Sequence, residues 1–434
     1  MKRSSSPAAV SRRRFLKAGV LTSSAALTPY SPSVAQTGIS SKTDRPIVGA
    51  IGMGGRAGGI TRHAREFADF TAVCDVDSNR ANGSLGLTEG KGTSYGDYRK
   101  LLDRSDIEAV IIATPDHWHT KISIDAMRAG KDVYCEKPLT LTIDEGKKIC
   151  QVVKETGRVF QVGTQQRSEC GLNFLTAIAI IRAGRIGRIR RVEVNLHKGP
   201  GGGPFQTSPA PTHLDWDKWL GQAPRVDYIA ERCHGQFRWW YEYSGGMLTD
   251  WGAHHVDIAH WGMGMDNTSP TCIDAKGTLP TIENGYNTAT EFEIQCACPN
   301  DAEMIIRSTA GESVGVLFEG EKGRLFVNRG RVSGKPVEQL SENPLPEDAI
   351  KKIYGPRQPG NHMRNFFDCV RSRDQPISDV FSHHRALTTC HLANISLRLG
   401  RKLKWDPVAE TIVGDAEANS WLSRPQRAGY QIEA

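Results

Sequence analysis

Three polar side chains of this 434-residue chain have the types and spacing needed for proton transfer at a hydroxyl group. Asp250 and His254 are four residues apart, so on a helix they would share one face. A carboxylate beside an imidazole fixes the tautomer of the imidazole and raises its basicity, which makes His254 a candidate general base. Lys137, in Glu136-Lys137-Pro138, would stabilise the developing alkoxide or share the proton. We predict that Lys137, Asp250 and His254 form the catalytic group.

A glycine-rich loop precedes these residues in the chain. The run Gly52-Met53-Gly54-Gly55-Arg56-Ala57 matches G-x-G-x-x-G/A between an apolar strand, 47–51, and a helix-like stretch, 57–67. The first glycine permits a tight turn, the second lets the backbone approach a pyrophosphate, and the helix N-terminus faces the negative charge. Asp75, 23 residues after Gly52, ends a second strand and would accept hydrogen bonds from ribose hydroxyls.

This pattern predicts a bound nicotinamide dinucleotide. The Asp75 carboxylate would repel a 2′-phosphate and so favours NAD, whereas nearby Arg80 leaves NADP open. Two further loops, 114–119 and 136–138, follow strands at the edge where such sheets bind ligands. The predicted cofactor-binding residues are Gly52, Met53, Gly54, Gly55, Arg56, Asp75, Thr114, Pro115, His119, Glu136 and Lys137.

The order of the elements predicts an α/β fold in two parts. Apolar strands and helical stretches alternate up to about residue 162, which indicates a parallel sheet covered on both faces. One of these helices, 142–156, has Thr142 as its N-cap and Gly157 as its stop. In the second half, 190–196 and 290–296 alternate in polarity with period two, and further strands follow without helices between them. The second half therefore favours antiparallel pairing.

The composition excludes several classes of protein. Hydrophobic residues make up 38% and charged residues 24% of the chain, which excludes a wholly disordered chain and a multi-span membrane protein. The net charge is +7, of which the six basic residues in 1–35 supply +6 without any acidic residue. The remaining body is nearly neutral, so nothing in its charge indicates nucleic-acid binding.

The first 35 residues resemble an export signal. Ser11-Arg12-Arg13-Arg14-Phe15-Leu16-Lys17 is a twin-arginine pattern, a short apolar stretch follows, and Ser33-Val34-Ala35 offers a cleavage site. The alternative is a disordered basic tail. We expect residues 1–35 to be a twin-arginine signal peptide and 36–45 a linker. The twin-arginine export machinery would then carry the folded protein, with its cofactor, to the periplasm.

Four motifs resemble those of the Gfo/Idh/MocA oxidoreductase family, which includes sugar oxidoreductases and inositol dehydrogenases. They are Ile51–Arg56, Ala113–His119, Cys135–Pro138 and Gly246–Asp257, and the likeness extends from about residue 46 to about 405. The resemblance implies an N-terminal NAD(P)-binding Rossmann domain, 46–165. It also implies a C-terminal α/β domain, 166–434, with a large, open, mostly antiparallel sheet that often joins subunits. We therefore expect a homo-oligomer, a dimer or a tetramer.

The same resemblance implies that Lys137, Asp250 and His254 match the catalytic positions of the family, and that the substrate is a small carbohydrate or polyol. Amide and guanidinium groups suit a polyol, and aromatic rings stack on sugars. For Trp239 and Trp240, packing in the core is the alternative to a role in substrate binding. No metal site is predicted, because the adjacent His254 and His255 would point about 100° apart on a helix and so would not share a ligand face. The predicted substrate residues are Gln165, Arg167, Trp240, Tyr243 and His254.

The leading hypothesis is an NAD(P)-dependent oxidoreductase that transfers hydride between nicotinamide and a secondary hydroxyl of a sugar, glycoside or cyclitol. Its cofactor is expected to stay bound. The alternative is an NAD-dependent glycosidase that acts by transient ring oxidation, elimination and re-reduction. A third hypothesis, a non-catalytic sugar-binding or assembly protein, does not account for the presence of Lys137, Asp250 and His254 together.

Overall fold

The computed structural model describes residues 45–309 and 314–433. The predicted signal peptide, 1–35, and nearly all of the predicted linker, 36–45, lie outside the described residues. Within the described part of the chain, no helix has the length and apolar character that crossing a membrane requires.

The first sheet has six strands, and every neighbouring pair is parallel. The strands are β1 Ile47–Ile51, β2 Asp69–Cys74, β3 Thr93–Tyr95, β4 Ala109–Ile112, β5 Asp132–Glu136 and β6 Phe160–Gly163. Their order is β3-β2-β1-β4-β5-β6. The strand order reverses between β1 and β4, and open α/β sheets bind ligands in the crevice at the carboxyl ends of the strands on either side of such a point. This is the Rossmann sheet that the sequence predicts.

Five helices belong to this first part. They are α1 Gly55–Ala64, α2 Ser78–Gly83, α3 Tyr98–Leu102, α4 Asp116–Arg128 and α5 Ile143–Thr156. All four residues of β4 are buried, as expected of an apolar strand covered on both faces. The hydroxyl of Thr142 accepts a hydrogen bond from the Glu145 amide at 3.3 Å, and α5 ends at Gly157 in the left-handed conformation. Both ends of α5 are therefore as predicted.

The second sheet has nine strands in the order β13-β12-β11-β7-β10-β9-β8-β14-β15. The strands are β7 Ile189–His197, β8 Cys272–Thr278, β9 Glu291–Ala297, β10 Glu303–Thr309, β11 Gly315–Gly320, β12 Arg324–Val327, β13 Val332–Ser333, β14 Leu403–Asp406 and β15 Thr411–Ile412. Among these strands, β7 and β10 pair in parallel and the other neighbours are antiparallel. Residues of β9 are alternately exposed and buried, so one face of this strand packs on the core. The prediction of an open, mostly antiparallel sheet is confirmed.

The described part of the second half contains nine helices, at least one of which packs against both sheets. They are α6 Asn173–Arg182, α7 Trp216–Leu220, α8 Met247–Asp250, α9 Gly252–Met263, α10 Lys335–Glu338, α11 Ala349–Tyr354, α12 His362–Ser372, α13 Val380–Leu399 and α14 Ala416–Ser420. Helix α13 packs against β8, α9 and α5, so one apolar core extends across both sheets. Helix α12 packs against α1 and buries Phe366 and Phe367 with residues of β1 and β4. The boundary at 165/166 stays a prediction, and α12 lies beyond it in sequence but against the first sheet in space.

Short 3-10 turns and loops complete the described chain. The turns are Leu85–Thr88, Gln165–Arg167, Cys170–Leu172, Ala230–Arg232, His234–Trp239, Pro299–Asp301 and Gln339–Ser341. The stretch 199–211 has no regular structure. All ten cysteines are free thiols, and eight of them are buried. In the part of the chain that the structure describes, no group of three or more His, Cys, Asp or Glu side chains is placed to hold a metal ion.

Candidate active site

A cavity of about 570 Å³ lies at the carboxyl ends of the first sheet, closed on its far side by residues of the second half. This volume is typical of a small-molecule site. Most of the predicted site residues line it: Gly52, Gly54, Gly55, Arg56, Asp75, Thr114, Pro115, Glu136, Lys137, Gln165, Asp250 and His254. The cavity therefore brings the predicted catalytic and cofactor-binding residues together in one place.

The glycine loop has the shape of a phosphate cradle. Gly52 has φ +85°, and a Cβ atom there would lie 2.6 Å from the main-chain nitrogen of Thr114, so only glycine fits. A Cβ at Gly55 would meet nothing within 4 Å, and one at Gly54 would meet only the Arg80 guanidinium at 3.0 Å. The backbone between β1 and α1 therefore faces open space at a helix N-terminus, which suits a pyrophosphate.

Asp75 anchors this loop and also lines the cavity. Its carboxylate accepts hydrogen bonds from the Met53 amide at 2.7 Å and from the Asp77 amide at 2.9 Å. Burial raises the pKa of Asp75, and these two hydrogen bonds partly offset that rise. Met53, a predicted cofactor contact, does not line the cavity; its amide holds Asp75 and its side chain packs against the core.

Lys137 and Asp250 form an ion pair in the wall of the cavity. The Nζ atom of Lys137 donates to Asp250 Oδ1 at 2.5 Å and to the Asp250 main-chain carbonyl at 2.9 Å. Both side chains are largely buried, at 12% and 13% exposure. Charge-assisted hydrogen bonds of this kind are short and strong. The pair joins the loop after β5 to the end of α8, and so spans the two halves of the chain.

The expected contact between Asp250 and His254 does not form. Helix α8 ends at Asp250 and α9 begins at Gly252, so the two residues are not on one regular helix. The Asp250 carboxylate accepts instead from Lys137 and from Arg238 Nε, the latter at 3.2 Å. Burial favours the protonated acid, but these two cations outweigh it and lower the pKa of Asp250. Asp250 is therefore an ionised partner of Lys137.

His254 is buried with free hydrogen-bonding capacity. It lines the cavity at 5% exposure, and its Nδ1 atom has no hydrogen-bond partner among the described residues. Burial and the positive charges of Lys137 and Arg329 hold the pKa of His254 well below its usual range. This differs from the expectation that a carboxylate raises its basicity. The imidazole is neutral at physiological pH and free to bind a hydroxyl group.

Glu136 organises the wall beside Lys137. Its Oε1 atom accepts from Arg56 Nε at 3.2 Å and from Gln165 Nε2 at 2.7 Å. Gln165 Nε2 also donates to the buried Tyr134 hydroxyl at 2.8 Å. Three residues that the sequence predicts for cofactor or substrate are thus held in one network. All three residues line the cavity.

Two predicted site residues serve structural contacts instead. Arg167 is 3% exposed and forms a two-pronged ion pair with Asp257, at 2.8 and 2.7 Å, and it does not line the active-site cavity. His119 is fully enclosed, with Nδ1 at 2.6 Å from the Pro138 carbonyl and Nε2 at 2.9 Å from the Thr114 carbonyl. Burial lowers the pKa of His119 to about 4. It ties the two loops together without lining the cavity.

The predicted aromatic substrate residues also lie outside the cavity lining. Trp240 and Tyr243 are 1% and 0% exposed and pack in an apolar cluster with Trp219 and Phe237. Core packing, the alternative for Trp240, is what the structure shows. The Trp240 indole donates to the Glu231 carbonyl at 2.7 Å, which satisfies its polar atom. Bulk and aromaticity alone do not distinguish a core tryptophan from one at a site.

Among the lining residues that the sequence analysis missed, Trp251, Asp116, Arg238 and Arg329 bear on the chemistry of the site. Trp251 lies between Asp250 and His254 in the sequence and lines the cavity. The Arg329 guanidinium carbon lies 4.6 Å from the centre of its ring, and the His255 ring stacks on it with the two centres 5.4 Å apart. Its position inside the Asp250–His254 motif was the available signal. Asp116 and Arg238 also line the cavity. Arg329 follows β12, and no local pattern marks it.

Comparisons with known proteins agree with this geometry. Residues 46–164 match the model "Oxidoreductase family, NAD-binding Rossmann fold", and residues 199–432 match "Oxidoreductase family, C-terminal alpha/beta domain", both of the Gfo/Idh/MocA group. A glycosyl hydrolase family 109 protein of Shewanella pealeana is 30% identical over 204 residues, which are 42% of this chain and 44% of that protein. The match therefore spans less than half of that relative's length.

Two further proteins show the same likeness. The scyllo-inositol 2-dehydrogenase (NAD(+)) of Bacillus subtilis is 26% identical over 286 residues, which are 64% of this chain and 72% of that protein. The WlbA dehydrogenase of Bordetella pertussis, solved with NADH and UDP-GlcNAcA, has a TM-score of 0.61 at 19% identity and covers 83% of this chain and 99% of its own. At 19% identity, the likeness to the WlbA dehydrogenase concerns the fold alone. The cavity, the two sheets and the two family matches together show that this chain belongs to the Gfo/Idh/MocA family of oxidoreductases.

Proposed function

We propose that this protein is a nicotinamide-dependent oxidoreductase acting on a secondary hydroxyl of a sugar, glycoside or cyclitol. One observation carries this proposal: a charged lysine and a neutral, unpartnered imidazole line the same cavity as the glycine cradle. When bound, the nicotinamide supplies the hydride acceptor. The named relatives of the family act on inositols or are glycosyl hydrolases, which supports a polyhydroxylated substrate.

The chain's own groups divide the remaining work. The Lys137 ammonium, fixed by Asp250, stabilises negative charge that develops on the carbinol oxygen. His254 accepts the hydrogen bond of the reacting hydroxyl, because a neutral imidazole has a free acceptor nitrogen. Arg56, Gln165 and Glu136 hold neighbouring hydroxyls in place. Trp251 lines the cavity, where the ring that holds Arg329 would contact the substrate.

The dinucleotide that best fits the cradle is NAD. Gly52–Arg56 would hold the pyrophosphate, Asp75 the adenosine ribose, and Thr114 and Pro115 the middle of the cofactor. The Asp75 carboxylate repels a 2′-phosphate. The Arg80 guanidinium, close to Gly54, is the group through which NADP would bind.

We propose that the cofactor stays bound between turnovers. The C-terminal segment, 424–433, reaches the cavity through Tyr430, which lines it, packs edge-on against Trp118 with ring centroids 5.8 Å apart, and donates to Asp217 Oδ2 at 2.8 Å. Lys148 Nζ holds the Ile432 carbonyl at 2.7 Å. A second segment, around His213, contacts the start of α2, where the Ser78 amide donates to the His213 carbonyl at 2.8 Å. These contacts fix chain segments beside the cavity, which supports retention of the dinucleotide.

A redox-neutral glycosidase is the second candidate. In that reaction the ring is oxidised, the adjacent C–H is deprotonated, the glycosidic partner is eliminated and the ring is reduced again. The observation that favours it is the 30% identity to a glycosyl hydrolase family 109 protein over 204 residues, 42% of the chain. Lys137 and His254 would serve both reactions, because each begins at a ring hydroxyl.

One experiment tests both candidates. Protein purified with its export signal intact is denatured, and the released nucleotide is identified by mass spectrometry. The native protein is then incubated with polyols and with aryl glycosides, and both reduced-nicotinamide absorbance and aglycone release are followed. Net reduction of nicotinamide supports the oxidoreductase, and aglycone release without net reduction supports the glycosidase. Neither signal, or a nucleotide-free protein, would contradict the proposal.

We also propose that the protein is exported to the periplasm as a folded homo-oligomer. The twin-arginine pattern of the sequence supports export, and the open sheet with the exposed side chains of β9 offers a surface for a second copy. Replacing Arg12, Arg13 and Arg14 by lysine should retain the protein in the cytoplasm, as measured by cell fractionation. Light scattering after size exclusion should give a dimer or a tetramer, and a monomer would contradict this part.

A further inference from the structure

Asp116 is a buried carboxyl group of the cavity that the proposed reaction has not used. It is the first residue of α4, directly after the Thr114-Pro115 loop, and it is 3% exposed. It lines the same cavity as Lys137, Asp250 and His254. Buried carboxyl groups are rare unless they are paired, so this position needs an explanation.

The Asp116 side chain has one strong hydrogen bond and one available oxygen. The Ser244 hydroxyl donates to Oδ2 at 2.5 Å. Ser244 precedes α8, so this bond joins the first-sheet loop to the segment that carries Asp250. The described residues provide no hydrogen-bond donor for the other oxygen, Oδ1, although the residue lines the cavity. One oxygen is thus fixed while the other remains available for a proton.

Four residues from different parts of the chain act electrostatically on the Asp116 carboxyl group. Burial raises its pKa to about 7. The positive charges of Arg238 and Lys137 and the hydrogen bond from Ser244 limit that rise, and the Asp250 carboxylate adds to it. Asp250 stays ionised and His254 stays neutral, as described above. Among these three acid–base groups, Asp116 is the one that changes protonation near neutral pH.

We propose that Asp116 is a further catalytic residue, whose carboxylate holds the proton that the substrate hydroxyl loses. This inference rests on the proposed function. In the proposed reaction the carbinol C–H bond breaks and its hydrogen would leave with the electron pair to the bound nicotinamide. The O–H bond of the carbinol also breaks, and its proton is transferred to Asp116, which becomes a carboxylic acid. In the reverse direction, or in a redox-neutral cycle, Asp116 returns the same proton.

This role complements that of His254. An imidazole whose pKa is held low by burial accepts a hydrogen bond but retains a proton poorly. The proton released in the enclosed cavity is therefore held better by Asp116 than by His254. Pairs of acid–base groups whose environments separate their pKa values commonly divide the donor and acceptor roles in this way.

The test compares Asp116→Asn with Ser244→Ala and with Glu145→Gln. Glu145 is the matched control because it is a buried carboxyl with a raised pKa that lies outside the cavity. Infrared titration of each protein follows the carboxylic-acid band, which requires no turnover. The wild type should show a group titrating near pH 7 that Asp116→Asn lacks and Glu145→Gln keeps. In Ser244→Ala the same group should titrate at higher pH, because the lost hydrogen bond favoured the ionised form.

Turnover gives the second readout. Asp116→Asn should lower kcat by about 100-fold and remove the inflection of kcat near pH 7, while Glu145→Gln keeps the wild-type profile. An Asp116→Asn protein that keeps the infrared titration, or that keeps the inflection, would overturn the proposal. A wild type that titrates as expected but oxidises no hydroxyl substrate would contradict the proposed function, and the proton-holding role with it.

Discussion

The Nζ atom of Lys137 donates to two oxygens of Asp250, the carboxylate Oδ1 at 2.5 Å and the main-chain carbonyl at 2.9 Å. One residue thus fixes both the charge and the direction of the lysine side chain. We predict that Asp250→Asn lowers kcat by about 100-fold with little change in KM, because it removes the charged partner and leaves the carbonyl contact. Steady-state kinetics check this. Asp368→Asn, a partly exposed residue of α12 paired with Arg371, should behave as wild type.

His254 should remain neutral wherever the protein is folded near neutral pH. Its pKa lies well below the ordinary value because burial and nearby cations disfavour the imidazolium. Nitrogen NMR of histidine-labelled protein, assigned with His254→Gln, should therefore show a neutral ring at and above about pH 6. A ring that gains its proton at the ordinary histidine pKa would contradict the electrostatic argument.

The Arg167–Asp257 pair should matter for stability and not for substrate binding. Both side chains are almost completely buried, at 3% and 1% exposure. Arg167→Met removes the guanidinium partner of a buried carboxylate, which then has only the His383 ring within ion-pair distance, at 3.5 Å, among the described residues, and should cost about 3–5 kcal/mol of unfolding free energy. KM of the protein that remains folded should not change. Denaturant unfolding together with kinetics separates this outcome from the substrate role that the sequence suggested.

The pH dependence of this pair has a definite sign. Burial alone would raise the pKa of Asp257, but Arg167 lowers it below the usual value. A carboxyl whose pKa is lower in the folded state stabilises the fold above its unfolded pKa, about 4, and loses that contribution as the pH falls. Unfolding measured at decreasing pH below about 4 should therefore show a smaller loss of stability for Asp257→Asn than for wild type.

Two tryptophans should separate substrate binding from packing. Trp251 lines the cavity, so Trp251→Ala should raise KM by about 10-fold through the lost contact of its ring with the substrate. Trp240 is 1% exposed, so Trp240→Phe should lower the free energy of unfolding by about 1–3 kcal/mol, because the Glu231 carbonyl loses its donor. KM should be unchanged in Trp240→Phe. The reverse pattern would restore the sequence-based prediction for Trp240.

Asp75 should set the choice of dinucleotide. Asp75→Ala removes the negative charge that disfavours a 2′-phosphate and leaves Arg80 beside the cradle. We expect the ratio of NADP to NAD found on the purified protein to rise by about 10-fold, as measured by mass spectrometry of the released nucleotide. Asp75 also holds the Met53 amide, so circular dichroism must show that the variant is folded. A folded variant with an unchanged ratio would contradict this assignment.

Local patterns in the sequence predicted the first sheet and its glycine loop well, since both depend on short-range features. Thr142 and Gly157 mark the ends of α5 directly, and the buried strand β4 is a continuous apolar run. The mostly antiparallel second sheet followed from alternation in β7 and β9. These features need no knowledge of distant contacts.

The partners of the site residues depend on distant contacts, and there the sequence predicted less. A four-residue spacing suggested that Asp250 would serve His254, but the helix breaks at Trp251 and Lys137, 113 residues away, takes the carboxylate. Arg167 looked like a polyol ligand because its partner, Asp257, lies 90 residues further along the chain. Periodicity identifies which face a residue occupies, and it does not identify what that face meets.

The central claim is that Lys137, Asp250 and His254 act on one carbinol beside a bound nicotinamide. The most direct test is a single-turnover measurement of reduced-nicotinamide absorbance after mixing excess loaded enzyme with a polyol substrate found in the screen above. We predict rapid nicotinamide reduction by wild type. Lys137→Met and His254→Gln should bind the same amount of cofactor but reduce it at least about 100-fold more slowly. Reduction at the wild-type rate by either folded, cofactor-loaded variant would contradict the claim.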